Sequence, residues 1–431
     1  MTNEVLVKHI DQERQSVGIV AGLTGANGRR IAAHGKLATG DSGAVDADTI
    51  FEIGSITKVF TSLLLADMAD RKEVRLDDPA AAFLPGDVTM PEWSGKAITL
   101  LDLATHSSGL PRVPGNLNPK DPANPYADYG VKDLYEFLSA YTLPREPGEA
   151  VEYSNLGAGL LGHVLSLRAG MDYETLVKVR ITEPLGMPDT GVTLSPSMKQ
   201  RFATGHNAML QSVAHWDFDA LAGAGALRST ANDMLTFLEA FLGIRETSLS
   251  KAMEAMLQVR RPVGATRFEI ALGWNLLGDF AWHDGGTGGF RSFIGYDQKA
   301  RAGVVVLSNA FTAAGVDSIA IQILNPQTPV TQHPKFVVHS MTLDRYTGQY
   351  QLPDRVLDIL LNGDRLFAQV TAAGGKPIAG PAFEMFAESD ISFSVKATGG
   401  RISFEIASDG NVTGLTMHRA GRDSVAGNRI S

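Results

Sequence analysis

The sequence predicts an α/β (α+β) fold: an antiparallel sheet flanked by helices, with an inserted helical subdomain, followed by a C-terminal antiparallel β-barrel. Three observations carry this expectation. Strand patterns occur early, around 17–37, and late, around 269–309, while the stretch between about 55 and 260 is mainly helical. A proline-rich, aperiodic segment then runs from Asn325 to Pro334. Beyond it, short strands recur at regular intervals with glycine-containing turns between them. The expected division is a first domain over 1–325, a linker over 326–340 and a barrel domain over 341–431. At 431 residues the chain is also too long for a single small core.

After a short opening helix, Val17–Leu23 and Arg30–Leu37 are predicted strands, joined by a loop whose Asn27-Gly28 is a hairpin signal. Leu63, Leu64 and Met68 recur at helical spacing and predict an amphipathic helix from about Ser55 to Asp70. The loop from Pro111 to Pro125 is long and rich in Pro, Gly and Asn, as loops that line a site often are. Another helix is expected from Leu156 onward. Late strands are expected at about 269–276, 290–297 and 302–309, with a closing helix near 314–324. In the C-terminal region the predicted strands are 346–350, 356–361, 366–370, 391–395, 402–406 and 412–418. Asn362-Gly363, Gly399-Gly400 and Asp409-Gly410 are the turns between them. The barrel is expected to have a filled interior and to brace a groove between the sheet edge and the helical subdomain.

Composition narrows the function. Hydrophobic residues at 44% and charged residues at 20% are those of an ordinary globular protein. The net charge of −9, without long Lys/Arg runs, argues against nucleic acid or an anionic membrane as partners. No apolar stretch is long enough to span a bilayer. The absence of cysteine excludes disulfides, thiolate metal sites and a thiol nucleophile. The ten histidines are scattered, and no metal or cofactor is expected. The polar N-terminus does not read as a signal peptide. A cytoplasmic protein is expected, or a periplasmic or secreted one if a leader has been removed.

Three motifs carry chemistry. Ser55-Ile56-Thr57-Lys58 places a hydroxyl and an amine three residues apart on one helix face. A lysine with a lowered pKa can take the serine proton and make it a nucleophile. Ser248 to Lys251 repeats the spacing, but reads as the capped start of a surface helix. Tyr153-Ser154-Asn155 offers a phenol for proton transfer and an amide that can hold both Lys58 and a substrate carbonyl. It can equally be a helix start capped by Ser154 or Asn155. His283-Asp284-Gly285-Gly286 opens a glycine run that is either a strand edge giving a second oxyanion N–H or a turn between strands.

In this order, the three motifs resemble those of the penicillin-recognising serine hydrolases. The likeness is greatest to class C β-lactamases, family VIII esterases, D-aminopeptidases and D-Ala-D-Ala carboxypeptidases. Leu-Ala-Thr-His-Ser-Ser-Gly-Leu at 103–110, Glu-Pro-Leu-Gly-Met-Pro-Asp-Thr at 183–190 and the segment 222–234 strengthen the resemblance, which covers roughly 10–325. It implies a β-lactamase/transpeptidase-like fold with a lipocalin-like barrel appended. It also implies Ser55 as the acylated nucleophile, Lys58 as its base or the group that tunes Tyr153, and Tyr153 as general base or acid. Asn155 would orient substrate and lysine, and Gly286 would supply the second oxyanion N–H.

His283 stands where the family's strand motif has lysine, so a fixed positive charge is replaced by a mostly neutral ring. Neutral esters are therefore expected to be accepted at least as well as carboxylate-bearing substrates. Imidazolium formed towards pH 6 would favour the anions selectively, and Arg291 is the residue that could replace the missing charge. The resulting expectation is hydrolysis of an ester, a D-amino-acid peptide or a β-lactam through an acyl-Ser55 intermediate. The partner would be a small-molecule or short-peptide substrate. The alternative is a non-turnover sensor, binding or structural protein on the same scaffold.

Overall fold

The structure, a computed structural model, describes residues 3–312, 314–325, 343–377, 380–395, 398–419 and 423–431. The linker expected over 326–340 lies wholly outside these residues.

The first sheet has eight strands: β1 (Gly18–Gly25), β2 (Arg30–Gly35), β3 (Arg261–Pro262), β4 (Glu269–Ile270), β5 (Asn275–Leu277), β6 (Phe280–Gly286), β7 (Arg291–Asp297) and β8 (Ala302–Ser308). Their order is β2-β1-β8-β7-β6-β5-β4-β3, and every pairing is antiparallel. The early strands thus join the late ones through β1 and β8, with the helical insert between them. Val304 and Val306 pack into one cluster with Ile319 and Ala320 of the closing helix. Val305 and Leu307 pack into the main core on the other side. A strand covered on both faces has no need for polar alternation, which is why β8 reads as an unbroken apolar run.

Helix α1 (Thr57–Asp70) departs from its expected amphipathic character. Every residue from Thr57 to Met68 is buried. The helix is the axis of the main core, and Phe60 stacks on Phe237 of a neighbouring helix with ring centres 4.3 Å apart. Its polar positions hold small hydroxyls that satisfy buried loop backbone instead of water. Thr57 Oγ1 accepts from Leu227 N, and Thr61 Oγ1 donates to Gly223 O.

The segment 269–276 is two short strands rather than one. Gly273 turns at φ +71°, and Ala271 N donates to Trp274 O across a tight bend. Conversely, β6 was not legible as a strand from its glycine-rich end.

The C-terminal strands close into an eight-stranded antiparallel barrel. Its order is Arg355–Asn362, Gly348–Gln351, Val425–Arg429, Val412–His418, Gly400–Ile406, Ser392–Val395, Ala382–Ala387 and Arg365–Ala373, the last pairing back onto the first. Closure removes the free edges that short strands would otherwise expose. Its interior is filled by Tyr346, Tyr350, Phe393 and Phe404 with surrounding aliphatics. Two of its strands, 382–387 and 425–429, were not expected.

The barrel packs on the hairpin 205–213 of the first domain and on the N-terminal segment. Phe367 and Ala382 cover Ala208, and Asn362 Nδ2 donates to Met209 O. Glu384 takes a hydrogen bond from Gln15 at 2.8 Å and pairs with Arg365 at 3.3 Å. That hairpin in turn touches the turn after β6, where a side chain on Gly289 would meet Gly205 Cα at 2.6 Å.

Candidate active site

Phe51–Glu52 ends in a sharp turn through Gly54 at φ +51°, and the chain enters α1 through a single 3-10 turn, Gly54–Ile56. Ser55 therefore stands at the mouth of the most buried helix and is itself only half-buried. The turn lies backbone to backbone against β6. A side-chain carbon on Gly54 would fall 2.7 Å from Gly286 N, and one on Gly285 would fall 2.1 Å from Ile53 O. Ser292 Oγ, from β7, donates to Ile53 O at 2.8 Å and pins the contact. Only glycine permits so close an approach.

β5 pairs with β6 no further than Trp282. His283 to Gly286 therefore have β7 on one side and no strand on the other. The open edge faces the nucleophile turn.

Lys58 is fully enclosed. Its Nζ lies 2.9 Å from Ser55 Oγ, 2.9 Å from Asn155 Oδ1 and 2.7 Å from Ala224 O. Burial, helped by the nearby Arg112 charge and opposed by Asp284, holds its pKa well below the usual lysine range. A neutral amine has two N–H donors and one lone pair. The Ala224 carbonyl can only accept, and Asn155 presents its carbonyl oxygen while its Nδ2 donates to Tyr126 Oη. Protonated, the amine spends its third N–H on Ser55 Oγ; once deprotonated, it keeps both N–H groups on these two acceptors and has its lone pair left for the Ser55 hydroxyl.

Tyr153 lies across the same pocket, with Lys58 Nζ 4.8 Å and Arg112 Cζ 5.0 Å from its ring centre. Burial pushes its phenol above the ordinary range, and the Ser55 hydroxyl works against that rise. Tyr153 is therefore a neutral phenol at rest. The adjacent Ser154 caps the helix Asn155–Ala169 by accepting from Gly157 N at 2.8 Å. The helix-start reading is realised by Ser154, and Tyr153 and Asn155 flank that cap on the side of Lys58.

The structure brings Ser55, Lys58, Tyr153, Asn155, His283 and Gly286 around one cleft. It does not bring in the second Ser-x-x-Lys. Lys251 pairs with Asp70, and the helix there begins at Ser250 rather than being capped by Ser248.

His283 corrects one expectation. Burial lowers its pKa to about 4, with Asp284 opposing and Lys58 adding to the fall. Imidazolium is thus not gained near pH 6. Its Nδ1 donates to Asp284 O at 2.6 Å, since a carbonyl can only accept. The neutral ring then carries its lone pair on Nε2 and is an acceptor, not a donor, towards its surroundings.

Two residues of the cleft were not singled out by sequence. His106, buried and held at φ +56°, packs against the Tyr153 ring at 4.5 Å. Its Nδ1 accepts from Ser154 N and its carbonyl accepts from Glu152 N, so it splints the segment that presents Tyr153. Burial keeps it neutral. Arg112 opens the Pro111–Pro125 loop, whose length was the available signal. Its carbonyl accepts from Asn155 N at 2.9 Å.

Glu52 lies just behind the nucleophile turn. Its Oε1 accepts from Trp216 N at 2.8 Å and sits 3.6 Å from Arg228. Burial raises its pKa to about 7, against the opposing pull of Thr287, Arg228 and Trp216 N–H, while Asp217 adds to the rise. A carboxyl raised in the folded state stabilises the fold below its unfolded pKa, and that contribution is lost as pH climbs through the folded one. Melting temperature should therefore fall between pH 5 and 8, and Glu52→Gln should flatten that fall. Calorimetry at stepped pH measures it; an unchanged slope in the variant would remove Glu52 as the cause.

Comparison with known proteins places this cleft in context. The family model described as Beta-lactamase matches residues 4–325. The D-alanyl-D-alanine-carboxypeptidase/endopeptidase AmpH of Escherichia coli is 27% identical over 318 residues, covering 69% of this chain and 81% of the relative. Penicillin-binding protein 4* of Bacillus subtilis is 24% identical over 398 residues, 84% of each chain. Among solved structures, a class C beta lactamase from Rhodobacter sphaeroides superposes with a TM-score of 0.63 at 25% identity, covering 72% of this chain and 94% of that one.

Proposed function

The chain belongs to the beta-lactamase family and is a serine acyl hydrolase; from that premise we propose that it cleaves an ester or amide through an acyl-Ser55 intermediate. The single observation that carries the assignment of roles is the coordination of Lys58, whose two N–H groups are committed to Asn155 Oδ1 and Ala224 O. Its third contact is Ser55 Oγ at 2.9 Å, so in the deprotonated amine the lone pair would fall to that hydroxyl.

Lys58 accepts the Ser55 proton as Oγ attacks the substrate carbonyl. The N–H groups of Ser55 and Gly286 would receive the oxyanion, because the Gly54–Gly286 contact holds the two backbones together. Tyr153, protonated at rest, passes a proton to the leaving group and is reprotonated from Lys58. Water then attacks the acyl-enzyme by the reverse relay. Asn155 keeps the Lys58 lone pair aimed and reaches Tyr126 on its far side.

Esters and D-amino-acid amides or short peptides are the proposed substrates, ahead of β-lactams. A neutral, acceptor-presenting His283 offers no fixed charge to a β-lactam carboxylate. The barrel is proposed as a brace for the hairpin 205–213 beside the cleft.

A panel of p-nitrophenyl esters, D-Ala p-nitroanilide and nitrocefin tests this, alongside fluorophosphonate labelling of Ser55. Turnover should be greatest on the esters or the anilide. Labelling of Ser55 without turnover on any of them would mean a trapped sensor, and no labelling at all an inert scaffold.

A further inference from the structure

A cavity of about 300 Å³ lies against β6 and β7 where the helix Asp317–Leu324 begins, walled chiefly by Trp282, Asp284, Arg291, Phe293, Val316 and Asp317. Strand alternation puts Trp282 and Asp284 on one face of β6, and the register sets Phe293 opposite Asp284 and Arg291 opposite Gly286. Gly285 lines the cavity, and a side chain on it would meet Ile53 O at 2.1 Å, two residues before Ser55. The next residue, Gly286, touches Gly54 on one side, and a side chain added to it would run into Phe311 at 2.9 Å and approach the Arg291 guanidinium at 3.5 Å.

We propose that Asp284 determines the charge of the accepted substrate: the cavity beside Asp284 and Gly285 takes a cationic group, an ammonium or guanidinium, and disfavours a carboxylate. This rests on the reading of the cleft as an acyl-hydrolase site and names the substrate class for it.

The charges in the cavity support that sign. Two carboxylates, Asp284 and Asp317, face one guanidinium, so the net charge is −2 + 1 = −1. Arg291 does not cancel either of them by contact. Its guanidinium lies 3.8 Å over the Phe311 ring, and among the described residues neither aspartate forms an ion pair with it or with any other cation within 4.0 Å. Asp284 is exposed, whereas Arg291 is mostly enclosed. Trp282, stacked on Phe280 at 5.6 Å and held edge-on by Phe268 at 5.7 Å, adds a fixed aromatic surface of the kind that attracts cations.

The cavity is also electrically connected to the reaction. The Asp284 charge raises the pKa of both Lys58 and Tyr153, so its field crosses the distance to the nucleophile. A substrate cation beside Asp284 is attracted by that field, and a carboxylate in the same place is repelled. His283, in place of a lysine, adds no positive charge to reverse the preference.

The test uses matched esters carrying a quaternary ammonium, an isosteric tert-butyl group or a carboxylate, in one series on the leaving group and in a second on the acyl group. In at least one series, kcat/KM should run ammonium above tert-butyl above carboxylate, with about fivefold between the first two, mainly through KM. Asp284→Asn should bring the ammonium-to-tert-butyl ratio close to one. Asp317→Asn should lower it by a smaller factor. Raising the salt to roughly 0.5 M should compress the ratio in wild type.

Fluorophosphonate labelling of Ser55 in each variant shows that the cleft is still assembled, and the ratio cancels any change in the intrinsic rate. Equal rates for all three esters in both series, preference for the carboxylate, or a cation preference that survives Asp284→Asn would overturn the proposal. Failure of every ester together with an unlabelled Ser55 would instead overturn the acyl-hydrolase reading on which it rests.

Discussion

Ser55→Ala protein should fold with an unchanged melting temperature and turn over its best ester slower by at least ~10³-fold. The stability half of this expectation follows from position. Ser55 is half-buried in a single 3-10 turn, and its hydroxyl meets Lys58 at 2.9 Å and the Tyr153 phenol, two groups that each keep other surroundings. After truncation Lys58 keeps Asn155 Oδ1 and Ala224 O, so no buried amine is left without acceptors. The kinetic half follows because, among the described residues, Ser55 gives the one hydroxyl bonded to the Lys58 amine. Thermal denaturation followed by circular dichroism and kcat on the same preparation measure both. A folded variant with wild-type hydrolysis would remove the mechanism altogether.

Lys58→Met and Tyr153→Phe should each lower kcat by on the order of 10³-fold, and the double variant should be hardly worse than Lys58→Met alone. In the proposed relay the two groups pass one proton between them, so breaking either link would stop the same relay. Methionine is preferred to alanine because Lys58 is fully enclosed and a cavity in the main core would confuse rate with stability. Wild-type kcat/KM should rise with pH as Lys58 loses its proton and reach its plateau well below pH 10, since burial lowers that pKa from its usual value. Independent, multiplicative losses in the double variant would mean that lysine and tyrosine serve separate steps.

Much of the site was legible because its chemistry is local in sequence. Ser55 and Lys58 are one helical turn apart, and Tyr153 and Asn155 are separated by a capping serine, so each pair is set by backbone geometry before any tertiary contact forms. His106 and Arg112 were not singled out, because their roles depend on a strained backbone and on a carbonyl that splint segments over 40 residues away. The protonation of His283 was likewise out of reach: a ring's pKa depends on what encloses it, which no motif records. Among the elements, β6 was missed because glycines that weaken a strand by propensity are required there by the Gly54 contact. The amphipathic expectation for α1 failed for a related reason. Thr57 and Thr61 look wet in sequence but are satisfied by buried loops.

That α1 has no wet face separates two things that evolution might otherwise have to change together. Each substitution between Thr57 and Met68 disturbs the main core, so the segment that carries the lysine has little freedom to drift. The open edge of β6, the loop that starts at Arg112 and the cavity beside Trp282 are peripheral to that helix and can vary with far smaller cost to folding. Lys58 thus sits on the part of the fold that tolerates substitution least, while the parts proposed to set selectivity can be exchanged around it.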